Sequence, residues 1–128
     1  MKKIIKTPKA PAPIGPYNQA VLAGGTLYVS GQIALDPATG ELLQGSIEEE
    51  TDLVMQNLKA VLNAAGARFS HVVKSTIFVK DMGQFARINA VYGTYFDAGT
   101  APARETVEVA NLPKYVNVEI SVIAVLGK

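Results

Sequence analysis

Apolar and polar residues alternate along two stretches near the start of the chain, and this period of two predicts strands over 19–22 and 26–33. Gly24 and Gly25 separate the stretches and supply the turn of a hairpin. One side of the second strand carries Leu27, Val29 and Ile33, and the other carries Tyr28, Ser30 and Gln32. The sheet is therefore expected to begin with a hairpin.

The hydrophobic period then changes to that of a helix. The segment 46–49 reads Ser-Ile-Glu-Glu, a capping-box signature, and Gly66 follows the last apolar position and ends the helix. A second helix is predicted to open near Asp81. The buried stripe of the first helix consists of Val54, Leu58, Val61, Leu62 and Ala65, and the inner face of the second carries Phe85, Ile88, Asn89, Tyr92 and Phe96.

Three further stretches, 71–79, 103–109 and 116–125, are rich in β-branched residues and predict strands. The element order β-β-α-β-α-β-β indicates an α+β fold in one domain spanning 1–128, with two helices on one face of a mixed sheet. Residues 7–16 contain four prolines and are predicted to form an extended arm laid over the body.

Apolar residues occupy both faces of this predicted sheet, although the helices cover only one. The strand over 71–79 presents Val73, Ile77 and Val79 to one side and Val72 and Phe78 to the other. A chain that is 48% hydrophobic, with a mean hydropathy of +0.19, has more apolar surface than one small core hides. We therefore expect another copy to bury the second face in a closed homo-oligomer.

Charge and composition narrow the function classes. The formal net charge is +1, so neither nucleic acid nor a membrane surface is expected as a partner. Four lysines in the segment 1–9 are interpreted as a solvated N-terminal segment. The chain has no cysteine, which excludes disulfides, thiol nucleophiles and thiolate metal sites. The lack of an apolar signal core predicts a cytoplasmic protein that does not span a membrane.

Most common site motifs are missing from the sequence, including those for phosphate, dinucleotide and zinc binding. His71 is the only histidine, so a Ser-His-Asp triad would depend on it alone. Acidic residues concentrate on the first turn of the first helix, where the helix dipole explains them. No metal and no cofactor are expected. The remaining candidates are polar residues on apolar elements: Tyr17, Ser30, Asn89, Arg104, Thr106 and Glu119.

Arg104 and Glu119 are the strongest of these candidates, because a charge on an apolar strand loses water unless a partner compensates it. Arg104 either forms a structural Arg–Glu pair at a subunit interface or clamps a carboxylate through two hydrogen bonds. It shares one face of its strand with Thr106 and Glu108. Glu119 either has a scaffold role or orients a water and moves a proton. Burial would raise its pKa and a nearby arginine would lower it.

The other candidates have equally open roles. Asn89 either makes a structural hydrogen bond or contacts a ligand. Tyr17 is either a lid over a site or an anchor for the arm at 7–16. Thr106 is either a simple strand former or a residue whose backbone amide and hydroxyl line a site.

Six short segments, in order over almost the whole chain, resemble the RidA family (reactive intermediate deaminase A, also called YjgF). They are Ile14-Gly15-Pro16-Tyr17, Val29-Ser30-Gly31-Gln32-Ile33, Asn57-Leu58-Lys59-Ala60-Val61-Leu62, Val79-Lys80-Asp81-Met82, Pro102-Ala103-Arg104 and Val118-Glu119-Ile120. The resemblance implies a chorismate-mutase-like fold, assembled as a homotrimer with the sheets facing inward and active sites between subunits. It also implies hydrolysis of enamines and imines, such as 2-aminoacrylate and 2-iminopropanoate, to 2-keto acids and ammonia without a cofactor or metal.

Carried over by position, the resemblance implies a role for each candidate. Arg104 would bind the substrate carboxylate, Glu119 would activate the attacking water, and Tyr17 would close the cleft. The implied substrate-binding residues are Ser30, Gly31, Asn89 and Thr106. Many relatives have cysteine at the position of Thr106, so this chain lacks thiol chemistry there but keeps the backbone contact.

Two other functions are compatible with the same residues. A non-catalytic sensor would use the cleft to bind a 2-keto acid or an amino-acid metabolite and to regulate a partner enzyme, and Arg104 suits both functions. Ribonuclease activity or inhibition of translation, claimed for some relatives, is disfavoured by the near-neutral charge and by the lack of a histidine pair.

Overall fold

The computed structural model describes residues 1–127 of the 128-residue chain. Within this range, six strands form a single mixed sheet, and two α-helices pack on one face of that sheet. The fold class is therefore α+β with the helices on one side, as the sequence predicts. The strands are β1 (Lys2–Ile5), β2 (Ala20–Ala23), β3 (Thr26–Gln32), β4 (Val72–Val79), β5 (Ala103–Glu108) and β6 (Val118–Val125), and the helices are α1 (Ile47–Ala64) and α2 (Phe85–Gly93).

The strand order in the sheet is β1-β2-β3-β6-β4-β5, so β6 lies in the interior of the sheet although it comes last in the chain. Neighbouring strands are antiparallel except for β4 and β5, which run parallel and are connected through α2. The strand that carries Arg104, β5, therefore lies at one edge of the sheet. It is separated by β4 from β6, the strand that carries Glu119.

The N-terminal lysines lie partly in a strand that the sequence pattern did not predict. Strand β1 pairs antiparallel with β2, and Ile5 in β1 is only 4% exposed. The side chains of Lys2 and Lys3 are exposed, as expected for a solvated segment, but their backbone forms an edge strand of the sheet. Lysines are common on edge strands because their charge discourages pairing with further chains. From composition alone, lysines on an edge strand are hard to distinguish from lysines in a solvated tail.

A bulge in β4 changes which of its side chains face the core. The register shifts between Val72 and Lys74, so Val72 lies on the buried side with Ile77 and Val79, whereas Val73 is exposed. A strict period of two grouped Val73 with Ile77 and Val79, and Val72 with Phe78, and both of these assignments are wrong. Beyond the bulge the alternation is as predicted.

Both ends of α1 follow from local sequence chemistry. The Ser46 hydroxyl accepts the backbone N–H of Glu49, and the Glu49 carboxylate accepts the N–H of Ser46, which is the predicted reciprocal cap. Gly66 has a φ of +78°, the left-handed conformation that commonly ends helices. Helix α2 begins later than predicted, at Phe85, because Asp81 caps a short 3₁₀ turn instead.

The core lies between the helices and one face of the sheet. Its largest fully buried apolar side chains are Leu27, Met55, Leu58, Leu62, Ile77, Ile88 and Ile120. Neither helix of residues 1–127 covers the opposite face, which exposes large apolar side chains: Ile4, Tyr28, Val107 and Val125. The sheet therefore has the apolar second face that the sequence predicts, and we call it the open face below.

Candidate active site

Arg104 projects from β5 toward α2, where three side chains hold its guanidinium. Nη1 donates a 2.6 Å hydrogen bond to Oδ1 of Asn89. The guanidinium carbon lies 5.4 Å from the ring centre of Phe85 and 5.1 Å from that of Tyr92. Cation–π contacts and a hydrogen bond to a charged donor together fix the orientation of the planar fork. Within this chain, Asn89 is thus a partner of Arg104.

The ring of Tyr92 is itself held in place by the sheet. Its hydroxyl donates a 2.9 Å hydrogen bond to Oγ of Ser75, which is fully buried in β4. Burial raises the pKa of Tyr92, while the Ser75 hydrogen bond and the charge of Arg104 act in the opposite direction. Tyr92 therefore stays neutral near pH 7 and presents a ring face to the guanidinium.

No carboxylate neutralises Arg104 among residues 1–127, where the ion pairs lie elsewhere on the surface. Glu108 shares a face of β5 with Arg104, but its Oε1 accepts the backbone N–H of Met82 at 2.8 Å. A structural Arg–Glu pair within one chain is therefore not what holds Arg104. The part of the fork that Asn89 does not use is suited to an incoming carboxylate.

Thr106 lies two residues further along β5, on the same side as Arg104. Its Oγ1 is buried and has no hydrogen-bond partner among the described residues. Leaving a buried hydroxyl unsatisfied costs about 1–3 kcal/mol. The cost is accounted for if a ligand or a neighbouring chain supplies the partner.

Glu119 projects from β6 on the open face, half-buried. Burial raises the pKa of its carboxyl group. Gly31 packs directly against it, since a methyl group at position 31 would lie 2.7 Å from Oε2 of Glu119. For a single chain, the structure thus answers the question about Glu119 that the sequence left open. Burial, and not a nearby arginine, sets the direction of its pKa shift.

A cavity of about 240 Å³ opens beside Glu119. Its lining combines apolar and polar groups: Ile14, Tyr17, Ser30, Gly31, Ile33, Pro113 and Glu119. Tyr17 is 48% exposed at the mouth, and its hydroxyl accepts the backbone N–H of Ile14 at 3.4 Å. The Ser30 hydroxyl donates to the carbonyl of Asn18 at 2.6 Å. Tyr17 thus follows the arm directly, is hydrogen-bonded to it and forms part of the cavity wall.

Arg104 and Glu119 lie on opposite faces of the sheet. Arg104 is in register with Ser75, whose side chain faces the helices, whereas Glu119 is in register with Phe78, which alternates to the other side. The candidate residues therefore form two groups. The arginine group is Asn89, Arg104 and Thr106, and the glutamate group is Tyr17, Ser30, Gly31 and Glu119. A single chain does not bring the guanidinium and the carboxylate into one crevice.

Sequence reasoning missed the residues that support Arg104. Phe85 and Tyr92 were predicted on the inner face of α2, but not as the aromatic partners of a side chain from β5. The spacing of Phe85, Asn89 and Tyr92 at i, i+4 and i+7 places all three on one helix face, which is a usable signal. Ser75 shares the inward side of β4 with Ile77 and Val79, as the period of two predicts, but nothing in the sequence marks it as the partner of the Tyr92 hydroxyl.

Residues considered for other chemistry have structural roles. Nδ1 of His71 accepts the backbone N–H of Arg68 at 3.0 Å within a local turn. Residues 1–127 contain no cluster of three or more histidine, cysteine, aspartate or glutamate side chains placed to hold a metal ion. Over the same range, no helix is both long and apolar enough to cross a membrane.

The fold and the site define a small α+β domain. Arg104, which two aromatic rings hold in place, lies on one side of its sheet, and Glu119, which packs against Gly31, lies on the other. The sequence model of the family described as Endoribonuclease L-PSP matches residues 7–126. The chain belongs to this family, which is the YjgF/RidA family that its motifs resemble.

Proteins of known name and structure support this assignment over nearly the full length. A RutC family protein of Synechocystis sp. is 57% identical over 125 residues, covering 97% of this chain and 96% of the relative. The mouse protein named 2-iminobutanoate/2-iminopropanoate deaminase is 48% identical over 127 residues, covering 99% and 93%. The crystal structure of E. coli TdcF with bound serine is similar with a TM-score of 0.91 at 43% identity, covering 98% and 99%.

Proposed function

We propose that this protein hydrolyses 2-imino acids such as 2-iminopropanoate and 2-iminobutanoate, and the enamines that precede them, to 2-keto acids and ammonia. The name of the mouse relative describes this activity, and its 48% identity spans nearly the whole chain. The proposed reaction needs no cofactor and takes place in the cytoplasm. It requires one group that holds a carboxylate and one that handles protons, which are the roles proposed for Arg104 and Glu119.

A second copy of the chain completes the site in this proposal. The open face exposes several large apolar side chains, and such a surface is typical of an interface between subunits. Because β5 lies at the edge of the sheet, its arginine group is within reach of a neighbouring subunit. In a homotrimer with the sheets facing inward, the arginine group of one copy meets the glutamate group of the next.

The observation that supports the proposal most strongly is the way Arg104 is held. Asn89 and two aromatic rings fix the guanidinium at 2.6 Å, 5.1 Å and 5.4 Å, yet no carboxylate of residues 1–127 neutralises it. A preorganised fork with unused donors binds a planar carboxylate through two parallel hydrogen bonds. Every 2-imino acid has such a carboxylate next to the reacting carbon.

Glu119 then manages the protons of hydrolysis. As water adds to the imine carbon, the Glu119 carboxylate accepts a proton from the water and a C–O bond forms. That proton passes to nitrogen to give a carbinolamine, and Glu119 then carries the carbinolamine hydroxyl proton to nitrogen as the C=O bond forms and the C–N bond breaks, so that ammonia leaves and the 2-keto acid remains. The neutral form of Glu119, which burial favours, also supplies a proton to the carbon of an enamine. Orientation contributes several kcal/mol to such a reaction, and proton transfer typically about 10²–10⁴-fold.

The remaining residues shape the cleft. Tyr17 closes it, while Ser30 and Gly31 line it beside Glu119. Asn89 supports Arg104, and the backbone at Thr106 contributes hydrogen bonds.

The test is a coupled assay with a pyridoxal-phosphate-dependent dehydratase that releases 2-aminoacrylate from serine. We expect keto acid and ammonia to form faster with the protein present than by spontaneous hydrolysis, at catalytic protein concentrations. A rate equal to the spontaneous one, with the dehydratase itself fully active, would contradict the proposal.

A non-catalytic sensor is the second candidate, and the serine bound to E. coli TdcF favours keeping it. In that case the same cleft would bind a 2-keto acid or an amino acid and regulate a partner enzyme. Tight binding of pyruvate without any acceleration in the coupled assay would support the sensor. Ribonuclease activity is not part of the proposal, because the net charge is +1 and the one histidine is engaged in a local turn.

Gly31→Ala is expected to lower kcat/KM by roughly 10- to 100-fold, because the new methyl group displaces the Glu119 carboxylate from its position. The fold should persist, since the clash involves the end of a side chain and not backbone. Gly93→Ala is the matched control, as a methyl group there meets nothing within 4 Å. Steady-state kinetics of both variants check the prediction, and equal activities would contradict it.

The pH dependence of kcat/KM should follow the ionisation of Glu119. In the single chain burial raises the pKa of this carboxyl group, and Arg104 of a neighbouring copy would act in the opposite direction in the assembled site. The base form needed for water activation appears as the pH rises through the pKa that Glu119 has in the assembly, and activity above the spontaneous rate should rise with it. The folded state also binds this proton more tightly than the unfolded state. Glu119 thus favours folding below its unfolded pKa and loses that contribution as the pH rises through the folded pKa.

The rise in activity should be missing from the profile of a Glu119→Gln variant. An identical profile in wild type and variant would assign the titration to another group.

A further inference from the structure

Gln19 is a buried side chain whose hydrogen bonds all reach the proline-rich arm. It is only 3% exposed. Its Oε1 accepts the N–H of Thr7 at 2.7 Å, and its Nε2 donates to the carbonyl of Thr7 at 3.0 Å. Nε2 also lies 3.2 Å from the carbonyl of Ala10 and 2.9 Å from that of Pro11. One side chain thus attaches the segment 7–11 to the residue that precedes β2.

The arm has few other means of attachment. It contains four prolines between positions 7 and 16, and these lack the N–H that a sheet would require. Ala10 is nevertheless 2% exposed, so its carbonyl needs a donor inside the protein. Among the described residues, Nε2 of Gln19 is the group that donates a hydrogen bond to this carbonyl.

Just after the arm, the chain is attached to β3 through Ser30. Its hydroxyl donates to the carbonyl of Asn18 at 2.6 Å, and its backbone N–H donates to the carbonyl of Gln19 at 2.9 Å. The segment between the two attachments is 12–17, so its freedom is limited at both ends.

Two residues of this segment form part of the proposed active site. Ile14 and Tyr17 line the cavity beside Glu119. A smaller cavity of about 30 Å³ continues beneath the arm, where Gln19 and Tyr17 both line it. The position of the Tyr17 ring in the cavity wall therefore depends on how the arm is held.

We propose that Gln19 is a positioning residue that fixes the arm so that Ile14 and Tyr17 close the Glu119 cavity over the substrate. The inference rests on the proposed deaminase function and deepens it. Gln19 contacts no reacting atom and acts through the arm alone. A preorganised lid lowers the ordering cost of substrate binding, so the contribution of Gln19 falls mainly on KM.

Two substitutions at this position test the role. Gln19→Leu has a similar volume and removes all four hydrogen bonds. Gln19→Glu keeps an acceptor for Thr7 but removes every donor, and it serves if the leucine variant does not fold. We expect either change to raise KM for 2-iminopropanoate, and Kd for pyruvate, by about tenfold with a smaller fall in kcat.

A stability control separates this effect from general loosening of the fold. Leu62→Ala empties part of the core beneath α1 without removing any of the Gln19 hydrogen bonds, and should leave KM and the pyruvate Kd unchanged. Trypsin should cleave after Lys9 faster in the Gln19 variants than in Leu62→Ala, because Ala10 is then released.

A double-mutant cycle with Tyr17→Ala shows whether Gln19 acts through the lid. We expect Gln19→Leu to raise KM much less in the Tyr17→Ala background than in the wild type, since the residue being positioned is absent. Fully additive effects would overturn the proposal. So would a trypsin-sensitive arm combined with wild-type KM and wild-type pyruvate Kd.

Failure of the positioning role of Gln19 can be distinguished from failure of the proposed deaminase function. If the wild-type protein does not accelerate imine hydrolysis, the deaminase proposal fails, but pyruvate binding still reports on the lid. An unchanged Kd in both Gln19 variants would then overturn the positioning role, and a Kd raised about tenfold would support it in a binding protein.

Discussion

Arg104→Lys is expected to lower kcat/KM for 2-iminopropanoate by roughly 100-fold while the fold and the assembly persist. Lysine keeps the charge but has no planar fork, so it cannot donate two parallel hydrogen bonds to the substrate carboxylate. The ammonium also loses the stacking between Phe85 and Tyr92 that orients the guanidinium. Losing hydrogen bonds to a charged group costs about 1.5–3 kcal/mol each, and about 1.4 kcal/mol corresponds to a tenfold change in rate.

The measurement is turnover of freshly generated 2-aminoacrylate, with the assembly size determined in parallel. Arg87→Lys is the matched control, because Arg87 pairs with Glu48 on the exposed surface and the same substitution there should leave activity unchanged. Normal turnover by Arg104→Lys would contradict the assignment of Arg104 as the carboxylate clamp.

Glu119→Gln is expected to reduce kcat by about 10²–10⁴-fold, because the amide has nearly the same shape but cannot accept a proton from water. Binding of pyruvate should be retained, since Arg104 still holds the carboxylate. The half-buried position should tolerate the neutral amide well, as burial already disfavours the charged form of Glu119.

Steady-state kinetics and a pyruvate titration, compared with an exposed Glu41→Gln control, check this prediction. An unchanged kcat in Glu119→Gln would remove the carboxylate from the mechanism. Loss of pyruvate binding together with kcat would instead indicate that Glu119 shapes the binding site.

Local sequence chemistry predicted much of the architecture. The reciprocal cap at Ser46 and Glu49 and the left-handed Gly66 are encoded within a few residues, and α1 lies between them as expected. Along β6, Glu119 alternates with the buried Val118 and Ile120, so the period of two that is typical of a strand also gives the face on which it lies. These features are local, because each is specified by residues within a few positions of it in the sequence.

The missed features depend on contacts between distant segments. The bulge that turns Val72 inward arises from the register between β4 and β6, and no periodicity within one strand reveals it. Strand β1 forms because β2 offers it a partner, although lysine occurs at two of its four positions. Composition at such an edge resembles that of a solvated tail.

The candidate site residues were predicted together with a location between subunits, but not with their placement on the two faces of one sheet. Arg104 and Glu119 were identified because charges on apolar strands require a reason, and that argument is independent of geometry. Their placement on opposite faces depends on the strand order and register of the whole sheet. The aromatic support of Arg104 was missed for the same reason, since it joins α2 to β5 across the fold.

The central claim is that the arginine group of one copy and the glutamate group of another form one active site. Mixing the Arg104→Lys and Glu119→Gln variants, unfolding them together and refolding them tests it by complementation. In a randomly mixed homotrimer, about a quarter of the interfaces would combine an intact Arg104 with an intact Glu119. We predict that the mixture regains about that fraction of wild-type turnover, whereas activity no higher than the average of the two separate variants would contradict a shared site.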